Sequence, residues 1–165
     1  MRIFTPTLHC KRATDITAEM LEQMNIKAVL LDVDNTLTSY TSKEPLAGTR
    51  EWTSDLLQKG YAVYIVSNNF KERVSHISGK YALPFVSFAL KPFPIGFGKA
   101  RRVLGLKNRD CLVVGDQIFT DILGANLGHM QSILVDPIEE ENGLTFRIRR
   151  KLECFVRGKC PVYKK

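Results

Sequence analysis

The chain has 165 residues, 44% of them hydrophobic, which suits one compact domain with a single core; it has neither repeats nor low-complexity runs. The opening MRIFTPTLHCKR lacks the apolar stretch of a secretory signal, and no segment approaches the ~18 apolar residues of a membrane span, so a cytoplasmic location is expected. The net charge of +7 is concentrated at one end: between residues 145 and 165, eight Lys and Arg face a single acid, Glu153, and the rest of the chain is neutral.

In chain order, Thr17 is placed to cap a short helix over 18–24, within an N-terminal arm of residues 1–26. The apolar run 27–33 (KAVLLDV) reads as a strand buried on both faces. A helix over 46–59 follows, closed by Gly60 as a C-terminal cap. Next come a strand over 61–66, a helix over 71–81 and a weaker strand near 85–88. A helix over 95–104, a strand over 111–114, a helix over 119–127 and a strand over 132–135 complete a core of residues 27–144. This alternation predicts an α/β fold, a Rossmann-like three-layer sandwich around a mostly parallel sheet. Beyond it, Phe146, Ile148, Leu152, Phe155 and Val156 recur at helical spacing among basic residues, which predicts a basic amphipathic helix and tail over 145–165.

Ligands bind such sheets beyond the carboxyl ends of the strands, so the residues there matter most. The first predicted strand ends in Asp32-Val33-Asp34-Asn35-Thr36, and alternation along it puts the two carboxylates on one side. Two anions so close repel unless a cation neutralises them or one is protonated. The run CLVV leads to Gly115-Asp116, with Asp121 five residues on. If these two strands are neighbours, Asp32, Asp34 and Asp116 converge on an oxygen-only site suited to Mg²⁺. Another strand ends in Ser67-Asn68-Asn69, whose hydroxyl and amide can donate to phosphate oxygens, and Lys91 adds an ammonium to balance the anions.

The order D-x-D-N-T, S-N, K-P, G-D-x-x-x-x-D resembles the haloacid-dehalogenase-like (HAD) hydrolase superfamily. The segments DVDNTLTSY, YIVSNN, LKPF and VVGDQIFTDILGAN are similar to the YqeG-type branch of its subfamily IIIA, which includes phosphatidylglycerophosphate phosphatases. The resemblance implies a Mg²⁺-dependent phosphomonoester hydrolase in which Asp32 is the nucleophile and forms an aspartyl-phosphate. It implies Asp34 as general acid and then base, and Mg²⁺ held by the Asp32 carboxylate, the Asp34 backbone carbonyl and Asp116. Asp121 would support the metal site or orient Lys91. Ser67 and Lys91 would grip the phosphoryl group, with Asn35, Thr36 and Asn68 also at the substrate. The implied substrate is phosphatidylglycerophosphate; a soluble nucleotide or sugar phosphate, or a phosphoprotein, is the alternative. A phospho-Asp signalling module is a third reading, disfavoured because Asp34 is placed to activate water.

Taken singly, these signals also have plain readings. The D-x-D pair could be a solvated, helix-capping turn, Ser67-Asn68 a helix cap, and Lys91 a surface lysine. His9, His76 and His129 lack metal-ligand spacing and are expected at the surface or in loops, Trp52 is expected in the core with Leu56, and Gly96 and Gly98 do not make a phosphate loop. Cys10, Cys111, Cys154 and Cys160 form no C-x-x-C pair and are expected to be free thiols. The segments between the motifs leave no room for an inserted cap domain, so a capless, open site is expected, suited to a phosphate on something large. The basic tail reads as a solvated helix or as a contact for anionic membrane, with nucleic acid less favoured.

Overall fold

Ala28, Val29, Leu30 and Leu31 are all fully buried, as suits a strand covered on both faces. The computed structural model describes residues 2–139, and in it these four residues form the strand β2 (Ala28–Leu31) near the middle of a six-stranded, all-parallel sheet. The remaining strands are β1 (Leu8–Cys10), β3 (Ala62–Val66), β4 (Phe85–Val86), β5 (Cys111–Gly115) and β6 (Gln131–Val135). Their order across the sheet is β1-β6-β5-β2-β3-β4. The helices are α1 (Ala18–Gln23), α2 (Thr49–Gln58), α3 (Lys71–Tyr81), α4 (Ile95–Val103) and α5 (Leu123–Leu127).

Side chains alternate across the sheet and define two cores. Val29 and Leu31 face one cluster with Leu21, Trp52, Leu56 and Ile77, contributed by α1, α2 and α3. Ala28 and Leu30 face the other with Phe97, Ala100 and Ala125, contributed by α4 and α5. This is the three-layer α/β sandwich of the sequence reading. Each large side chain so buried contributes about 1.5–3 kcal/mol relative to exposure.

Local signals hold where the chemistry is strong. Thr17 Oγ1 accepts the Met20 amide at 3.3 Å and caps α1. Gly60, at φ 87°, ends α2 in the left-handed conformation that favours glycine. Trp52 is buried and donates its indole N–H to the Ile16 carbonyl at 2.8 Å. Cys10 and Cys111 are buried free thiols, and burial pushes both up to about 11; Cys154 and Cys160 lie outside the described residues.

Two differences stand out. The N-terminal arm supplies a sixth strand, β1, along β6; His9 lies on it, half-covered and 2.9 Å from Asp136. The helix expected over 119–127 starts instead as a wide π turn, Ile118–Ile122, before α5. Neither residues 32–48 nor 67–84 hold an inserted domain: the first is a loop and the second carries α3 alone. The predicted basic helix over 145–165 lies outside the described residues.

From β2 the chain builds outward through β3 and β4, then returns to build β5, β6 on the other flank. The reversal falls between β2 and β5, and a crevice opens at such a point beyond the strand ends.

Candidate active site

Parallel pairing of β2 with β5 aligns Leu31 with Val114, and the Asp32 amide donates to the Val114 carbonyl at 2.9 Å. Asp32 and Asp116 therefore leave adjacent strands at nearly the same level. One carboxylate oxygen each from Asp32, Asp116 and Asp121 lies within 4.8 Å of the others, and all three residues are buried. The π turn delivers the third: Asp121 takes the Gln117 amide on Oδ2 at 3.2 Å, which folds its side chain back toward β5. Gly115 makes room for it, because a Cβ there would collide with the Asp121 carboxyl group.

Lys91 closes the cluster. Its Nζ donates to Asp32 Oδ1 and to Asp121 Oδ1, both at 2.6 Å, with the side chain almost wholly buried. Burial alone would lower the ammonium pKa, but Asp121 and Asp32 outweigh it and hold Lys91 charged. Burial raises the Asp121 carboxyl, and Lys91 pulls it back.

The lysine is positioned by its neighbours along the chain. The Asn68 amide donates to the Lys91 carbonyl at 3.0 Å and accepts the Lys91 N–H at 2.7 Å. The Ala89 amide donates to the Ser67 carbonyl at 3.0 Å, zipping this loop onto the end of β3. Between them Phe88 and Leu90 sit at φ 48° and 58°, a left-handed conformation that costs non-glycine residues energy and clusters at functional sites.

Asp34 faces a different way from the metal-type cluster. Its Oδ1 accepts Arg73 Nε at 3.0 Å and Nη2 at 2.6 Å, and Oδ2 accepts the Asn69 amide at 2.5 Å. Burial raises its pKa, Asp32 adds to the rise, and Arg73 opposes it. The same Arg73 Nη2 reaches the carbonyls of Ser39, Tyr40 and Ser42 at 3.2, 3.1 and 2.9 Å, tying the loop after Asp34 to α3. Sequence reasoning missed Arg73. In KERVSH it looks like any helical cation, and only the fold sets it opposite Asp34.

The other expected residues divide. Ser67 ends β3 beside β2, where Leu31 aligns with Ile65, and its buried Oγ accepts the Asn69 amide at 3.2 Å. It does not cap α3, whose first turn has no side-chain cap. The side chains of three more expected substrate-binding residues, Asn68, Asn35 and Thr36, have these surroundings. Asn68 is spent on holding Lys91. Asn35 and Thr36 line a cavity of about 220 Å³ with Arg12, Thr14, Leu46 and Thr49, to which Asp32, Lys91 and Asp116 do not contribute. Asn35 Oδ1 also accepts the Glu139 amide at 3.0 Å. A D-x-D-N-T string fixes the neighbours of Asp32 along the chain, but not the way they face once the loop turns.

Three buried carboxylates gather around one ammonium, and every candidate ligand atom is oxygen. Such a set fits a hard divalent cation that keeps open positions for phosphate oxygens, the preference of Mg²⁺.

Comparison with known proteins agrees with this geometry. Residues 1–77 match the family model described as mitochondrial PGP phosphatase, and residues 89–137 match one described as HAD-hydrolase-like. The probable phosphatase YqeG of Bacillus subtilis (strain 168) is 36% identical over 152 residues, spanning 92% of this chain and 88% of that protein. An uncharacterised Listeria monocytogenes serotype 4b protein superposes with TM-score 0.58 at 14% identity, covering 81% of this chain and 99% of that one. The cobalt-bound deoxy-D-mannose-octulosonate 8-phosphate phosphatase of Haemophilus influenzae superposes with TM-score 0.53 at 14% identity, covering 82% and 91%. At these identities the two superpositions speak to the fold alone.

Proposed function

Because the chain belongs to the YqeG-type phosphatases of the HAD superfamily, we propose that it hydrolyses phosphatidylglycerophosphate through attack of the Asp32 carboxylate on phosphorus. The observation that carries the chemistry is the Lys91 ammonium, 2.6 Å from both Asp32 and Asp121, in a buried cluster completed by Asp116. The match of residues 1–77 to a family described as PGP phosphatase supports the substrate.

Asp32, Asp116 and the Asp34 backbone carbonyl would hold Mg²⁺, with Asp121 behind them; when bound, the ion supplies charge neutralisation at the phosphoryl oxygens. Lys91 adds a fixed positive charge to the same end, and Ser67, at the tip of β3, offers a hydroxyl to the phosphoryl group. An Asp32 oxygen forms a bond to phosphorus as the ester P–O bond breaks. Asp34, held by Arg73 and Asn69, gives its proton to the departing alcohol oxygen. It then takes a proton from the water that attacks the aspartyl-phosphate. The P–O bond to Asp32 breaks, and inorganic phosphate and the free carboxylate result. The rise in the Asp34 pKa from burial and from Asp32 supports the acid half of that cycle.

The absence of an inserted domain among the described residues supports a substrate whose phosphate is displayed on a larger body, such as a lipid headgroup at the cytoplasmic membrane face. The test is phosphate release with Mg²⁺ from phosphatidylglycerophosphate in mixed micelles, beside nucleotide and sugar phosphates, with Asp32→Asn as control. Release from the lipid that is lost in Asp32→Asn is the expected result. Turnover of soluble esters alone would remove the lipid assignment and leave the phosphatase standing.

A further inference from the structure

Apart from Val103, every large hydrophobic side chain more than half exposed among the described residues lies on two adjoining loops or at the first residue of α4. These are Phe70, Phe88, Leu90, Phe93 and Ile95, each between 54% and 65% exposed. Phe70 and Phe88 meet edge to face with centroids 5.1 Å apart, and the Phe88 amide donates to the Asn69 carbonyl at 3.2 Å, so the two loops share one surface. The same loops carry Ser67, Asn68 and Lys91. The apolar surface therefore borders the site mouth. A clustered apolar surface of this kind marks a contact rather than ordinary surface composition. Phe88 and Leu90 are held outward by left-handed backbone, which a chain adopts at positions under functional constraint.

We propose that this rim is a membrane-docking surface: Phe70, Phe88, Leu90, Phe93 and Ile95 enter the interfacial layer of an anionic lipid bilayer and hold the site mouth against the headgroups. The inference rests on the lipid reading of the substrate and names the surface that would serve it. Charge selects this occupant. Lys71 and Lys99 are exposed on this surface, and residues 67–71 and 87–99 contain no acid, an arrangement that suits aromatic anchors among anionic headgroups.

The test is partition of the full-length protein onto vesicles of phosphatidylglycerol and phosphatidylcholine, compared with Phe70→Ser/Phe93→Ser/Ile95→Ser. None of these three residues belongs to the catalytic machinery. The triple variant should bind on the order of a hundredfold more weakly while keeping wild-type turnover of p-nitrophenyl phosphate. In a separate Phe93→Trp variant, the added fluorescence should shift to the blue on phosphatidylglycerol vesicles and be quenched by brominated lipid. Undiminished partition of the triple variant, or no spectral change on bound vesicles, overturns the proposal, because the tail alone then carries attachment. A self-association that the triple variant loses, with no wild-type partition, also overturns it, because the rim then joins two copies. Rim-dependent binding without phosphatidylglycerophosphate hydrolysis upholds the rim and sinks the substrate assignment instead.

Discussion

Asp34 and Arg73 form the pair on which the proposed proton transfer depends. Replacing Asp34 by Asn removes the acid and the base but leaves the nucleophile and the charge cluster. Turnover of an alkyl phosphate should fall by about 10²–10⁴. An aryl ester, whose leaving group needs no proton, should still phosphorylate Asp32, and the phosphoenzyme should accumulate and be trapped by acid quench. Failure to trap it in an otherwise folded variant would argue against Asp34 as the base of the second step. Arg73→Lys should lose most of the activity lost in Arg73→Met, because one ammonium cannot reach the carboxylate and three carbonyls that the guanidinium bridges. Full rescue by lysine, read as kcat, would reduce Arg73 to a point charge.

At the scale of elements, two glycines make a controlled comparison. Gly115 ends β5 with Asp121 folded against it, so Gly115→Ala must displace the carboxyl that orients Lys91. We expect activity to collapse and stability to fall by about 1–3 kcal/mol, the range for overpacking. Gly98 lies inside α4, and a Cβ there would meet nothing within 4 Å. Gly98→Ala should therefore stabilise by up to about 1 kcal/mol through helix propensity, with activity intact. Urea titration and phosphate release read both outcomes, and a stabilising Gly115→Ala would contradict the crowding at β5.

For the molecule as a whole, the site is a cluster of buried carboxylates that the fold holds together. Anything that binds the native cluster and not the unfolded chain raises the melting temperature by mass action. Mg²⁺ should do so relative to EDTA, and the gain should vanish in Asp116→Asn, as followed by thermal denaturation. An equal gain in the variant would locate the cation elsewhere. No helix among the described residues is long and apolar enough to cross a membrane.

Much of this was legible in the chain itself. Consecutive buried residues such as Ala28 to Leu31 signal a sheet covered on both faces, and strands alternating with helices leave parallel pairing as the economical arrangement. Asp32, Asp116 and Lys91 each follow an apolar run, and that order is written in sequence. The strand β1 was not legible: three residues with one buried position have no period, and the open edge of β6 decides their pairing. Nor was the division of labour around the nucleophile. Side-chain direction in a loop depends on what packs against it, so only the tertiary structure turned Asp34 to Arg73, bound Asn68 to Lys91, faced Asn35 and Thr36 into a cavity, and gathered the exposed aromatic residues at the mouth of the site. Local patterns record which elements form, whereas contacts distant in sequence decide which atoms meet.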